Sequence, residues 1–190
     1  MHSTLPTSNP SHLARGYTLA LISAAFLSTT APFIRHLTLT YEIPPLVLAL
    51  WRNFFVVLVL LPILARFRPA LLRVSRPHLL YLLGYGLLLA AFNSLWTTSV
   101  ALNGAAVSTV LAYCSAAFTA LLGWWLLKER LDWVKIVAVV LCLGGCVLVA
   151  EALTPNVWQT NLAGIVTGVL SGLAYAIYSL MGRSASQRGL

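Results

Sequence analysis

Apolar residues in this chain run in blocks of roughly twenty, the length that crosses the ~30 Å hydrocarbon layer of a bilayer. Within the blocks no regular alternation separates a core-facing side from a water-facing one. The pattern predicts six spans: about Gly16–Arg35, Leu46–Ala65, His78–Thr98, Ala105–Leu127, Trp133–Ala150 and Leu162–Met181. From Arg76 to Lys128 no Lys, Arg, Asp or Glu intervenes, so that stretch must be two spans turned by Leu102-Asn103-Gly104. Pro44-Pro45 and Pro77 stand where helices start, since a first-turn amide has no partner to lose. The predicted fold class is all-α integral membrane, a polytopic bundle of six transmembrane helices.

Charge then orients the bundle. Ten of the twelve basic residues fall on one side of it: Arg15, Arg66, Arg68, Arg73, Arg76, Lys128, Arg130, Lys135, Arg183 and Arg188. The other side holds Arg35, and Arg52 lies inside a span. Loops kept in the cytoplasm retain Lys and Arg, so the N-terminus is expected there. At 59% hydrophobic and 8% charged residues, the composition excludes a soluble domain. The net charge of +8 sits in short loops beside apolar spans, which points to lipid headgroups as partner and not to nucleic acid. Residues 1–15 are polar and predict a disordered cytoplasmic tail; the first apolar block is too long for a signal-peptide core. Trp51, Trp124, Trp125, Trp133 and Trp158 lie near span ends, where an indole anchors at headgroup level.

The first and sixth spans align without a gap at an offset of 148 residues, matching Gly16 with Gly164, Ser23 with Ser171 and Arg35 with Arg183. Small residues recur at every fourth position in both: Gly16, Ala20, Ala24, Ser28, and Gly164, Gly168, Gly172, Ala176. Such stripes let helix backbones approach closely in lipid. The copies cross in opposite senses, and inverted repeats mark secondary transporters, with the substrate held where the repeats meet. The second copy stops after one helix. Residues 1–190 are therefore expected to be part of a longer protein. Alone they would offer half a cavity wall, and the span-six stripe, lacking its neighbour, would favour a homo-oligomer.

Several motifs carry a resemblance. Leu126-Leu127-Lys128-Glu129-Arg130-Leu131 resembles the Leu-x-Glu-Arg-Leu junction between helices 4 and 5 of the EamA-type transporters, in the drug/metabolite transporter (DMT) superfamily. Gly144-Gly145 follows at the expected distance, Arg52 resembles the Arg near the start of helix 2, and Val100-Ala101-Leu102 ahead of Ser108 and Thr109 resembles the passage from helix 3 to helix 4. The resemblance implies two inverted five-helix repeats, the first over residues 16–153 and the second opening at 161–190. It also implies a multi-pass protein of the bacterial cytoplasmic (plasma) membrane. One departure stands out: Cys114-Ser115-Ala116 occupies the place of the family's mid-helix proline, so helix 4 is expected to run straighter.

Candidate chemistry is sparse. No Asp or Glu lies at mid-membrane depth, which leaves carboxylate-based proton coupling without a residue. Arg52 is the one charge within a span, poised either to attract an anionic group or to snorkel outward. Asn93, Trp96 and Thr97 form the densest polar group in span 3, sharing a face at helical spacing. Tyr113 in span 4, with Ser108, Thr109 and Ser115, makes a second face, and Tyr175 and Tyr178 in span 6 complete the candidate substrate-binding set. Each has a structural alternative, interhelical bonding or packing. Cys114, Cys142 and Cys146 suit packing better than a metal site. No nucleophile–base pair, metal cluster or phosphate loop is present in the sequence, so no enzyme activity and no cofactor are expected.

The reading is a secondary transporter, an exporter of small metabolites or drugs working by alternating access; the alternative is a non-transporting membrane helix bundle. Orientation is directly testable. In a cysteine-free background, Ser75→Cys in intact cells should resist an impermeant maleimide while Thr40→Cys reacts. Rapid labelling at position 75 would invert the topology.

Overall fold

The computed structural model describes residues 10–72, 76–128, 132–149 and 162–187, and among them there is no β-strand. The helices are α1 (Pro10–Tyr41), α2 (Pro45–Phe67), α3 (Arg76–Asn103), α4 (Ala105–Tyr113), α5 (Ser115–Leu127), α6 (Trp133–Val149) and α7 (Leu162–Gln187), with one 3₁₀ turn at Pro69–Leu72. Five stretches are long and apolar enough to cross a membrane, α4 and α5 counting together, and the shorter apolar α6 has 17 residues. At about 1.5 Å per residue, α6 still covers most of a hydrocarbon layer. The predicted polytopic bundle is the observed one. Glu129, Arg130 and Leu131 of the junction motif, Trp158 with the outer loop around it, and residues 1–9 of the tail lie outside the described residues.

Helix ends depart from the sequence expectation. α1 starts at Pro10, inside the segment expected to be disordered, with proline in the first-turn position it favours. It also continues past Arg35 to Tyr41. Arg35 Nη1 lies 3.4 Å from the Val100 carbonyl and 3.5 Å from that of Ala101, so its charge meets the negative end of α3 and the helix has no need to stop there. α3 in turn runs on to Asn103, and Gly104 alone makes the turn into α4. Its φ of 88° and ψ of 168° fall in a region essentially reserved for glycine. A Cβ there would also meet Arg35 Nη1 at 3.2 Å.

Lipid is as apolar as leucine, so burying leucines between helices gains little; close backbone approach and hydrogen bonds must hold the bundle. α3 is the hub. It packs along α7 over its length, and separately against α1, α2 and α4, while α7 touches neither α1 nor α2. The small-residue stripe of α7, Gly164, Gly168, Gly172 and Ala176, is buried in these contacts. This corrects the expectation that the stripe would lack a neighbour: α3, α4 and α5 of the same chain supply it. A Cβ on Gly168 would stand 2.6 Å from Leu111 Cδ1 and 2.8 Å from Ser99 Oγ. One on Gly172 would stand 3.2 Å from the carbonyls of Leu111 and Ala112 and from the amide of Ser115.

Those last atoms flank a break. Span 4, expected to run unbroken without the family's proline, divides at Cys114 into α4 and α5. The Cys114 amide bonds the Leu111 carbonyl at 3.1 Å, a tightened i to i−3 turn. Thiols meet carbonyls around the break: Cys142 Sγ donates to Tyr113 O and Cys146 Sγ to Val110 O, both at 3.4 Å. The cysteines, expected only to fill space, also act as weak donors. Cys114 and Cys146 are buried together with their sulfurs 3.0 Å apart.

Substituting glycines along the chain should separate packing from propensity. Gly168→Ala forces Leu111 and Ser99 aside and should lower stability by about 1–3 kcal/mol, as overpacking does. Gly145→Ala, where nothing lies within 4 Å of the new methyl, should leave the thermal midpoint in detergent unchanged or raise it. Equal midpoints for the two variants would overturn the close-approach argument.

Candidate functional site

Arg52 and Asn53 stand on α2, seven and eight residues from its first proline. By helical rise Arg52 is about 10 Å into the span. Its guanidinium does not snorkel free: Nη2 donates to Asn93 Oδ1 on α3, and its carbon lies 5.7 Å over the centre of the Trp96 ring. Asn93 Nδ2 then donates to Asn53 Oδ1 at 3.3 Å. All four side chains are half-buried or partly exposed, so the group is reachable from outside the bundle. Among the described residues no carboxylate pairs with Arg52. The contact joins α2 to α3 on a side that α7 does not reach.

Of the other sequence candidates, Thr97 is fully buried and its hydroxyl donates to the Asn93 carbonyl at 2.7 Å. Its neighbour Thr98 does the same to Ser94 at 2.8 Å. Tyr113 projects from α4 as an exposed ring and does not join the Arg52 group. Tyr175 and Tyr178 form a second, aromatic group between α7 and α3. Tyr175 packs against Phe92 with ring centres 5.0 Å apart, and Tyr178 stacks on Tyr85 at 4.4 Å. Tyr81 closes this end by donating to the Met181 carbonyl at 2.6 Å. Tyr85 and Phe92 went unremarked in the sequence, though they fall on one face of α3 with Tyr81 and Trp96. Asn53 was missed too; an Arg-Asn pair inside an apolar run was the available signal.

A third polar group is structural. Ser99 on α3 is fully buried, 3.0 Å from both Ser108 Oγ on α4 and the Gly164 carbonyl on α7. It also accepts from Asn103 Nδ2 at 3.1 Å. With one proton to give, Ser99 serves the carbonyl and takes the Ser108 proton, so its bonding capacity is filled. A small apolar cavity of about 120 Å³ lies elsewhere, between α5 and α6 beside Cys142 and Lys135, and includes none of the candidate residues.

Residues 14–150, from α1 through α6, match the profile of the EamA-like transporter family. The chain belongs to the EamA-like transporter family. Arg52, Asn53, Asn93 and Trp96 all fall within the matched stretch, as does the break at Cys114. The chain is also similar to a Synechocystis sp. protein described as an uncharacterized transporter, with 28% identity over 115 residues. That match covers 60% of this chain and 35% of the relative, so the EamA-like chain aligns with about a third of the relative's length. No solved structure matches it.

Removing the Ser99 hydroxyl should reveal what the structural group contributes. Ser99→Ala removes the hydroxyl that links the Gly164 carbonyl, Ser108 and Asn103, and should lower stability by about 1 kcal/mol, near the measured worth of interhelical bonds in lipid. Thr98→Ala, which loses only a bond within its own helix, should shift the thermal midpoint less. The reverse ranking would mean that the three-helix bond network is not holding α3, α4 and α7 together.

Proposed function

We propose that the chain works in a secondary transporter that exports small metabolites or drugs by alternating access, without ATP. The observation that carries this reading is the Arg52–Asn53–Asn93 group joining α2 to α3 at membrane depth. A polar, charged group there is costly to keep and is a functional site by default. Membership of the EamA-like transporter family and the likeness to a protein described as a transporter support it.

The proposed motion follows from how unequal the contacts of α3 are. Toward α7 the backbones approach closely through glycines, and toward α2 the contact runs through polar side chains that a solute can replace. A bond to a charged donor contributes about 1.5–3 kcal/mol. A solute that takes over the Arg52 and Asn93 contacts thus binds the two states unequally, which is what shifts an equilibrium between them. In this proposal α1 and α2 rock against the α3–α7 pair. Arg52, Asn53, Asn93 and Trp96 hold the solute, and Tyr175, Tyr178 and Tyr85 continue the path inward from Phe92. The alignment of α1 with α7 as inverted copies, the cytoplasmic N-terminus and the plasma-membrane location belong to the same proposal and rest on the charge pattern and the repeat.

The test is flux. A transporter that contains residues 1–190, reconstituted in liposomes, should exchange at least one member of a labelled panel of amino acids, organic acids and cationic dyes. Asn93→Ala should reduce that exchange at least tenfold while membrane abundance stays within twofold. Exchange falling only in step with abundance would make Asn93 structural and end this assignment.

A further inference from the structure

Resting on that transport reading, we infer that the Arg52 group recognises a single carboxylate on a small solute with an apolar body. The inference begins with the two residues that break the charge pattern. Every other basic residue falls on the cytoplasmic side by sequence, while Arg35 and Arg52 do not. The fold brings both onto α3: Arg35 at the carbonyls of Val100 and Ala101, Arg52 at Asn93 and Trp96. Seven residues, about 10 Å of helix, separate these two attachment points. Among the described residues no Asp or Glu pairs with either arginine. Two cations retained against the translocation preference, close together and without a counter-charge, make an electropositive flank that lacks an anion.

Hydrogen-bond direction sharpens the class. Arginine can only donate. Asn93 must therefore turn its oxygen to Arg52, which turns its amide nitrogen to Asn53. Asn53 in turn must meet it with its own oxygen, leaving its NH₂ group outward. The relay turns both side-chain oxygens toward donors within it and leaves donors at each end: the remaining guanidinium N–H groups and the Asn53 amide. A site whose ends are donors, one of them cationic, disfavours cations and suits an anion.

The Trp96 ring centre lies 5.7 Å from the guanidinium carbon, and the guanidinium N–H groups not given to Asn93 can offer the fork that fits a carboxylate with two parallel bonds. Arg35 is engaged with α3, so one free fork in a low-dielectric setting balances one negative charge; a second would stay unpaired. Trp96 packs against the buried cluster of Ala31, Ile34 and Val100, so the wall beside Arg52 is apolar, which suits an apolar remainder.

The experiment measures ligand-induced thermal stabilisation of the full chain in detergent. The probes are n-alkanoates from acetate to hexanoate and phenylalkanoates, each beside its uncharged amide and its amine, with inorganic phosphate, chloride and phosphatidylglycerol as further arms. At least one monocarboxylate should bind tenfold or more tightly than its amide, with the amine inactive. Arg52→Gln should lose that preference. Asn93→Asp, which supplies an internal counter-charge and keeps a partner for Arg52, should lose it while the protein stays folded. Arg52→Lys should bind more weakly than wild type, having charge without the fork. The inference is overturned if amide and carboxylate bind alike, if no monocarboxylate in the series binds, if Asn93→Asp keeps the preference, or if only phosphatidylglycerol or an inorganic anion stabilises. Flux separates this from the transport reading. Asn93-dependent exchange of neutral or cationic solutes alone would sustain transport and end the carboxylate assignment, whereas carboxylate binding without any flux would do the reverse.

Discussion

Everything in this bundle depends on two backbones being able to touch. In lipid the exposed leucines and valines of α2 and α6 gain nothing by turning inward, so association rests on contacts that lipid cannot imitate. Gly168 and Gly172 supply them, leaving room for less than a methyl group between α7 and the Leu111–Ser115 segment. That proximity places the Gly164 carbonyl within reach of Ser99, and Ser99 within reach of Ser108. α3 is thus fixed on the α7 side by the atoms least able to yield. Its remaining side, toward α2, is where exchangeable polar contacts are left.

The same proximity bears on the break in span 4. A proline would interrupt that helix by removing an amide, whatever its neighbours were. Here Cys114 keeps its amide and bonds one residue short, where the α7 backbone comes nearest to Ala112 and Ser115. Thiols from α6 meet the Val110 and Tyr113 carbonyls at the end of α4, just before the turn. The break is thus built from tertiary contacts and not from a residue that forbids a helix.

Much of the architecture was legible because the membrane imposes it on composition. Apolar block length is a one-dimensional signal, and the helices follow it to within a few residues at most ends. Turns were less legible: Leu102 and Asn103 are helical and Gly104 alone reverses the chain, because Arg35, remote in sequence, caps α3. The break at Cys114 had no local signal at all. Polar residues misled in a different way. Thr97, Thr98, Thr109 and Thr167 satisfy their hydroxyls on carbonyls of their own helices, so a cluster of hydroxyls in the sequence overstates the polarity available to a ligand. Amides and guanidinium groups cannot be absorbed that way. Arg52, Asn93 and Trp96 were each singled out, but their convergence spans 41 residues of sequence and two helices, which no periodicity encodes.

What distinguishes that convergence from ordinary interhelical glue is its polarity. A structural polar contact in lipid closes on itself, as Ser99 does: one proton donated, two accepted, nothing left over. The relay from Arg52 through Asn93 to Asn53 does not close. It begins with a donor-only group and must therefore end with one, because each amide passes the same sense of bonding to the next. Lengthening it with another asparagine would only move the surplus donor further along. Closure needs a group that accepts without donating, either a backbone carbonyl, as Gly164 provides for Ser99, or an anion. Among the described residues no Asp or Glu pairs with Arg52, and that is the place the proposed carboxylate takes.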